Sequence, residues 1–166
     1  MAVLARDNNN ISMVGGGIKI NGPAHQADTF YNGALLFALN IGTGGKVSCV
    51  PTNTAADRFL GICSKQVTTT SADQPVEYFV GGIWLFPSIA SITAVHIGSF
   101  LMQDLDTAGT LTDNAADLVA SKDVTLATGD RVIGRIVGMD ASLNMFVDLS
   151  MAGTVATVTT GGLAIL

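Results

Sequence analysis

Leu143-Asn144-Met145-Phe146-Val147-Asp148-Leu149-Ser150 is the stretch that decides the fold class. Leu143, Met145, Val147 and Leu149 occupy every second position, and Asn144, Phe146, Asp148 and Ser150 fall between them. Side chains along a strand point alternately to opposite faces, so this pattern predicts a strand with one buried face. The same period recurs toward the N-terminus. Val132, Gly134, Ile136 and Gly138 alternate with Arg131, Ile133, Arg135 and Val137. Val76, Tyr78 and Val80 alternate with Glu77, Phe79 and Gly81. Short apolar runs predict further strands at residues 34–39, 46–50, 59–64 and 97–103. Turn-forming residues separate them: Gly42-Thr43-Gly44-Gly45, Ser71-Ala72-Asp73-Gln74-Pro75, Asp106-Thr107-Ala108-Gly109 and Gly129-Asp130.

No long 3.6-residue stripe accompanies these runs. The best helical candidates are short, at residues 88–95 and 114–121. Many short strands with frequent turns predict an all-β fold, a small antiparallel β-barrel or sandwich. Residues 29–150 carry that pattern. Residues 1–28, with Asn8-Asn9-Asn10 and Gly15-Gly16-Gly17, show no sustained period and read as an extended N-terminal arm. Residues 151–166, rich in Thr, Gly, Ala and Val, read as a C-terminal arm or edge strand.

Composition narrows the function. The chain has 166 residues, enough for one domain with its own core. Only 13% of residues are charged, against roughly 25% in an average soluble domain. Apolar surface is therefore left over, and such surface meets other proteins. The net charge is −5, and the eight Lys and Arg residues are scattered without a basic run. Binding nucleic acid takes clustered cations, so no nucleic-acid partner is expected. Residues 1–10 lack the apolar core of a signal peptide. Residues 78–103 contain no Asp, Glu, Lys or Arg, but Pro87, Ser88, Ser91, Thr93, His96 and Ser99 interrupt them. A span takes about 20 predominantly apolar residues, so no membrane insertion is expected.

Candidate chemistry is sparse. Cys49 and Cys63 sit in apolar stretches and read as small buried hydrophobes. Gly42-Thr43-Gly44-Gly45-Lys46 lacks the earlier Gly and the Ser or Thr after Lys that a phosphate loop requires, and reads as a hairpin turn. His25 and His96 lie far apart, and no Gly-x-Ser-x-Gly occurs. Asp104 and Asp106 share a strand face but read as a solvated strand end. Glu77, the only glutamate, has no obvious carboxylate partner for acid–base work. Trp84 and Phe86 lie in the most apolar run and read as core, with an interface anchor as the alternative for Trp84. No catalytic residue, metal ligand, cofactor or small-molecule substrate is assigned.

The order of these features resembles the bacteriophage capsid decoration proteins, also called cement or head-stabilising proteins. The resemblance covers about residues 31–149. It runs through Asn32-Gly33-Ala34-Leu35 and Ala55-Ala56-Asp57-Arg58-Phe59-Leu60-Gly61-Ile62 to Pro75-Val76-Glu77-Tyr78-Phe79-Val80-Gly81-Gly82-Ile83. Ile97-Gly98-Ser99-Phe100-Leu101 and Asp104 follow, then Gly129-Asp130-Arg131-Val132-Ile133-Gly134-Arg135-Ile136-Val137-Gly138 and Val147-Asp148-Leu149. Most of these positions are Gly or apolar, so they speak to structure. The resemblance implies a homotrimer without enzyme activity, made in the host cytoplasm and placed on the outer capsid surface of the virion. There it would clamp neighbouring copies of the major capsid protein. The alternatives are another virion component, such as a tail, spike or adhesin β-domain, and a small β-barrel hydrolase. An adhesin would be expected to carry aromatic clusters, yet the chain has one Trp and two Tyr. A hydrolase would need convergent polar residues, which the sequence does not offer.

Overall fold

The computed structural model describes residues 11–39, 45–49, 58–90, 92–103, 118–121, 131–151, 156–159 and 162–165. The strands are β1 (Ser12–Gly15), β2 (Ile18–Pro23), β3 (Thr29–Phe30), β4 (Leu35–Ala38), β5 (Val47–Ser48), β6 (Arg58–Cys63), β7 (Val67–Thr68) and β8 (Pro75–Val80). Then come β9 (Ile83–Phe86), β10 (Phe100–Gln103), β11 (Leu118–Ser121), β12 (Arg131–Met139), β13 (Met145–Asp148), β14 (Ala156–Thr159) and β15 (Gly162–Ile165). Two 3-10 turns, Ala94–His96 and Leu149–Met151, are the only helical pieces among the described residues.

Two antiparallel sheets make the body. One has six strands in the order β1-β9-β13-β12-β10-β11, the other five in the order β2-β8-β6-β4-β5. Between them lies the main core. The five-stranded sheet contributes Leu35, Phe37, Phe59 and Ile62; the six-stranded sheet contributes Trp84, Phe86, Leu101, Ile133, Ile136, Met145 and Val147. Phe37 and Phe59 meet edge to face, with ring centroids 5.9 Å apart. The sandwich alternative is the one observed, in keeping with the rule that a sheet buries its apolar face against another layer.

A second core covers the other face of the five-stranded sheet. Leu36, Cys63, Val76 and Tyr78 pack there with Ala24, Phe30, Ala34, Val47 and Cys49. The short β3-β7 ribbon brings Phe30, and Val67 packs against it. This explains why Leu35, Leu36 and Phe37 are all buried in succession. A sheet covered on both faces selects continuous apolar runs over alternation.

Bulges account for the remaining departures from strict alternation. Between β10 and β12, Leu101 faces Gly134 and Met102 faces Val132, so Ile133 is the extra residue. A second irregularity lies between Ile136 and Gly138 in the β12-β13 ladder. An extra residue shifts the side-chain phase by one. Ile133 and Ile136 consequently both reach the core, where strict alternation placed them on opposite faces.

Three expectations require revision. The described residues of 88–95 form no α-helix; Ala94–His96 is a 3-10 turn. Of residues 114–121, Leu118–Ser121 is β11, hydrogen-bonded along β10, and the rest lies outside the described residues. Ladder bonds from Phe100 to Gln103 outweigh a weak local helical preference. Residues 12–23 of the expected N-terminal arm are built into the sandwich as the outermost strands of both sheets. At the other end, β14 and β15 form a hairpin that pairs with neither sheet.

Candidate binding surface

The N-terminal segment and residues 75–86 form one long antiparallel ribbon. Ile18 to Pro23 pair with Val80 to Pro75 in unbroken register. Ser12, Met13 and Gly15 pair with Leu85, Trp84 and Ile83, leaving Val14 in a bulge. The ribbon passes from one sheet to the other between these two ladders, so both of its strands turn a corner at the same level.

Glycine makes that corner possible. Gly16, Gly81 and Gly82 have φ of 80°, 64° and 79°, the left-handed region that side chains disfavour. At Gly82 space is also lacking. A Cβ there would lie 2.5 Å from the Gly17 nitrogen and 2.7 Å from the Gly15 carbonyl oxygen. Trp84 closes the inside of the corner. It is buried, its Nε1 donates to the Gly81 carbonyl at 3.0 Å, and its ring packs against Phe79 at 5.6 Å between centroids. Trp84 and Phe86 are thus core residues.

Exposed apolar side chains run along this edge ribbon, on both of its faces. Nine large hydrophobic residues are exposed among the described residues, and five of them are Met13, Val14, Ile18, Ile20 and Ile83 on this ribbon. Ile18 is 65% exposed. The one charged residue of β1 and β2, Lys19, turns back toward its own sheet. Its Nζ lies 3.2 Å from Glu77 Oε1 and 5.2 Å from the centre of the Phe79 ring. Natural sheets protect an open edge with charge, proline or bulges. Here the charge is engaged, the proline ends the strand, and the bulge itself exposes Val14.

The remaining singled-out residues are dispersed. Glu77 accepts a 2.6 Å hydrogen bond from Ser64 Oγ and also lies 3.8 Å from Lys65 Nζ. The Ser64 bond, then Lys19, holds its carboxyl below the ordinary 4.5, against an opposing push from burial. His96 accepts from the Thr93 amide through Nδ1 at 3.0 Å, closing the 3-10 turn. His25 lies elsewhere, its amide bonded to the Val47 carbonyl. Cys49 and Cys63 are buried, as expected, and not disulfide-bonded; they donate to Asp28 Oδ2 and the Lys65 carbonyl. Lys46 pairs with Asp73 at 2.8 Å beside the antiparallel β4-β5 pair, and residues 42–44 of the expected turn lie outside the described residues. Asp104 and Asp106 lie outside the described residues. Among the described residues, no three His, Cys, Asp or Glu side chains group to hold a metal ion. No helix among them is long and apolar enough to cross a membrane.

Sequence reasoning missed the ribbon as a surface. Its signal was present in Met13, Val14, Ile18 and Ile20, spaced around three glycines, but alternation is broken there because an edge strand at a corner has no single buried face. Compared with family models, curated proteins and solved structures, the chain matches none.

Proposed function

We propose that this chain is a structural virion protein of the decoration type. It binds the outer surface of an expanded phage capsid and stabilises it by clamping neighbouring major capsid subunits, without catalysis. The observation that supports the reading is the ribbon of β1, β2 and β9, with its exposed apolar side chains, where the outermost described strands of the two sheets meet. A patch of this kind on a protein with few charges favours protein contacts. A clamp that binds only the expanded lattice stabilises that lattice by mass action, and repetition over many sites adds avidity. Self-association, with a homotrimer as the expected form, belongs to the same reading.

The test is direct. Purified protein is mixed with expanded, undecorated capsids, and copies per shell are counted after sedimentation. Stoichiometric decoration together with greater resistance of the shell to heat is the expected result. A few copies per shell would favour a tail or spike role, and no binding would overturn the reading.

A further inference from the structure

Each large sheet has a face turned away from the main core. On the five-stranded sheet a second core covers that face. On the six-stranded sheet neither core extends over it. Register fixes what it shows. Trp84, Leu101, Ile136, Met145 and Val147 point into the main core, so their neighbours along the strands point outward. One row across the sheet then reads Ile83, Asp148, Arg135, Phe100, on β9, β13, β12 and β10 in turn. In the adjoining row, Phe146 on β13 lies opposite the β12 bulge that carries Val137. Val137 is 45% exposed, and Phe100 and Phe146 are half-buried.

Asp148 and Arg135 are the two charged residues of these rows and are direct cross-strand neighbours, yet they form no ion pair. The Arg135 Nε donates to the Gly98 carbonyl at 3.2 Å, and Asp148 Oδ1 accepts from the Ser150 amide at 2.9 Å. Among the described residues, Arg135 thus has no carboxylate partner, although it stands exposed on a largely apolar face.

The first row is complementary to itself. From either end it runs apolar, charge, opposite charge, apolar. A two-fold contact brings residue i against residue j and j against i, so it requires a patch of this kind. An axis in the plane of contact, along the strands between β12 and β13, sets Arg135 against Asp148 of a second copy and Asp148 against its Arg135. The same axis sets Ile83 against Phe100 and Phe146 against Val137. Sheets stacked face to face lie about 10 Å apart with their side chains interdigitated, close enough for these pairs to meet. An unrelated partner would have no need of the palindrome.

We propose that the outer face of the six-stranded sheet, centred on Arg135 and Asp148, binds the same face of a second copy across a two-fold axis. The contact goes beyond the proposed function and leaves the β1-β2 edge free. It is separate from a trimer formed through another surface, because two-fold and three-fold axes combine in closed dihedral assemblies.

Charge reversal in the full-length chain tests it. R135D alone sets Asp against Asp148 at both contacts, and D148R alone sets Arg against Arg135. Mixed in equal amounts, the two variants restore an opposite pair at each contact. V137E, at an exposed position, removes apolar contact without touching the pair. Circular dichroism and thermal melting check that all three remain folded, and sedimentation velocity reads their mass at micromolar concentration. The wild-type chain is expected to contain an even number of 17.0 kDa chains. Each variant alone should sediment at half the wild-type mass, and the R135D–D148R mixture should regain it. A wild-type monomer would overturn the proposal. So would a wild-type trimer, which would leave the self-association of the proposed function standing. Folded variants that keep the wild-type mass, or a mixture that does not regain it, would overturn it as well.

Discussion

Gly81 and Gly82 stand side by side at the ribbon corner with similar φ, yet they are not equivalent. A Cβ on Gly81 meets nothing within 4 Å, so G81A should cost only the left-handed backbone term, about 1 kcal/mol. A Cβ on Gly82 meets backbone atoms of Gly15 and Gly17, which no rotamer change relieves. G82A should therefore destabilise the protein by more than about 2 kcal/mol. Urea unfolding of the two variants measures the difference. Glu77 gives a second residue-scale prediction. Its folded-state pKa is depressed, so its stabilising contribution is present above the unfolded value and is lost as pH falls through the folded one. S64A removes the largest cause of the depression and should move the Glu77 carboxyl up toward 4.5. Because Glu77 is the only glutamate, carboxyl-carbon NMR during an acid titration reads it without ambiguity. An unchanged midpoint would mean that the Ser64 bond does not matter in solution. Asp140 is held low in the same sense, first by the Asn144 side chain, in the turn where Leu143 takes φ 63°. That turn also explains why Leu143, though in phase with Met145 and Val147, is exposed: the strand begins only after it.

At the scale of elements, β12 separates what periodicity can tell from what it cannot. Its residues are recognisable as strand from Val132, Ile133, Ile136 and Val137, all β-branched. Which of them reach the core depends on two bulges, and a bulge is a relation between two strands, invisible in either alone. Ile136 is fully buried whereas Val137 is 45% exposed. I136A should cost about 2–5 kcal/mol and V137A within about 0.5 kcal/mol of nothing, by chemical denaturation. Equal losses would contradict the bulged register. The N-terminal segment makes a parallel case. Removing residues 1–22 takes away β1 and most of β2, together with Ile11, which is buried in the main core. The melting temperature should drop by several degrees, about what the loss of 1–2 kcal/mol produces in a domain of this size. A truncated chain that melts with the intact one would show that the ribbon adds nothing to the fold.

For the whole molecule, the apolar character of the exposed ribbon sets the kind of binding to expect. Contacts between exposed charges weaken as salt shortens the screening length from about 10 Å at 0.1 M. Apolar contacts do not. Capsid binding should therefore change by less than about threefold between 0.1 and 0.5 M sodium chloride. A steep loss across that range would point instead to the scattered charges as the binding groups.

The amino-acid sequence by itself determined the all-β class, the places of β4, β5, β6, β8, β10, β12 and β13, and the burial of Trp84, Phe86, Cys49 and Cys63. These follow from side-chain alternation, apolar runs and turn residues, all of which act within a few positions. Only the tertiary structure decided that two sheets pack face to face, that the five-stranded sheet is covered on both sides, and that Gly15-Gly16-Gly17 turns a corner beside Gly81-Gly82. The ribbon brings together segments some 60 residues apart, and among the described residues no further strand pairs along its outer edge. Pairing across such distances is set by the competition of all strands for partners, so no local pattern in residues 12–23 could have revealed an edge.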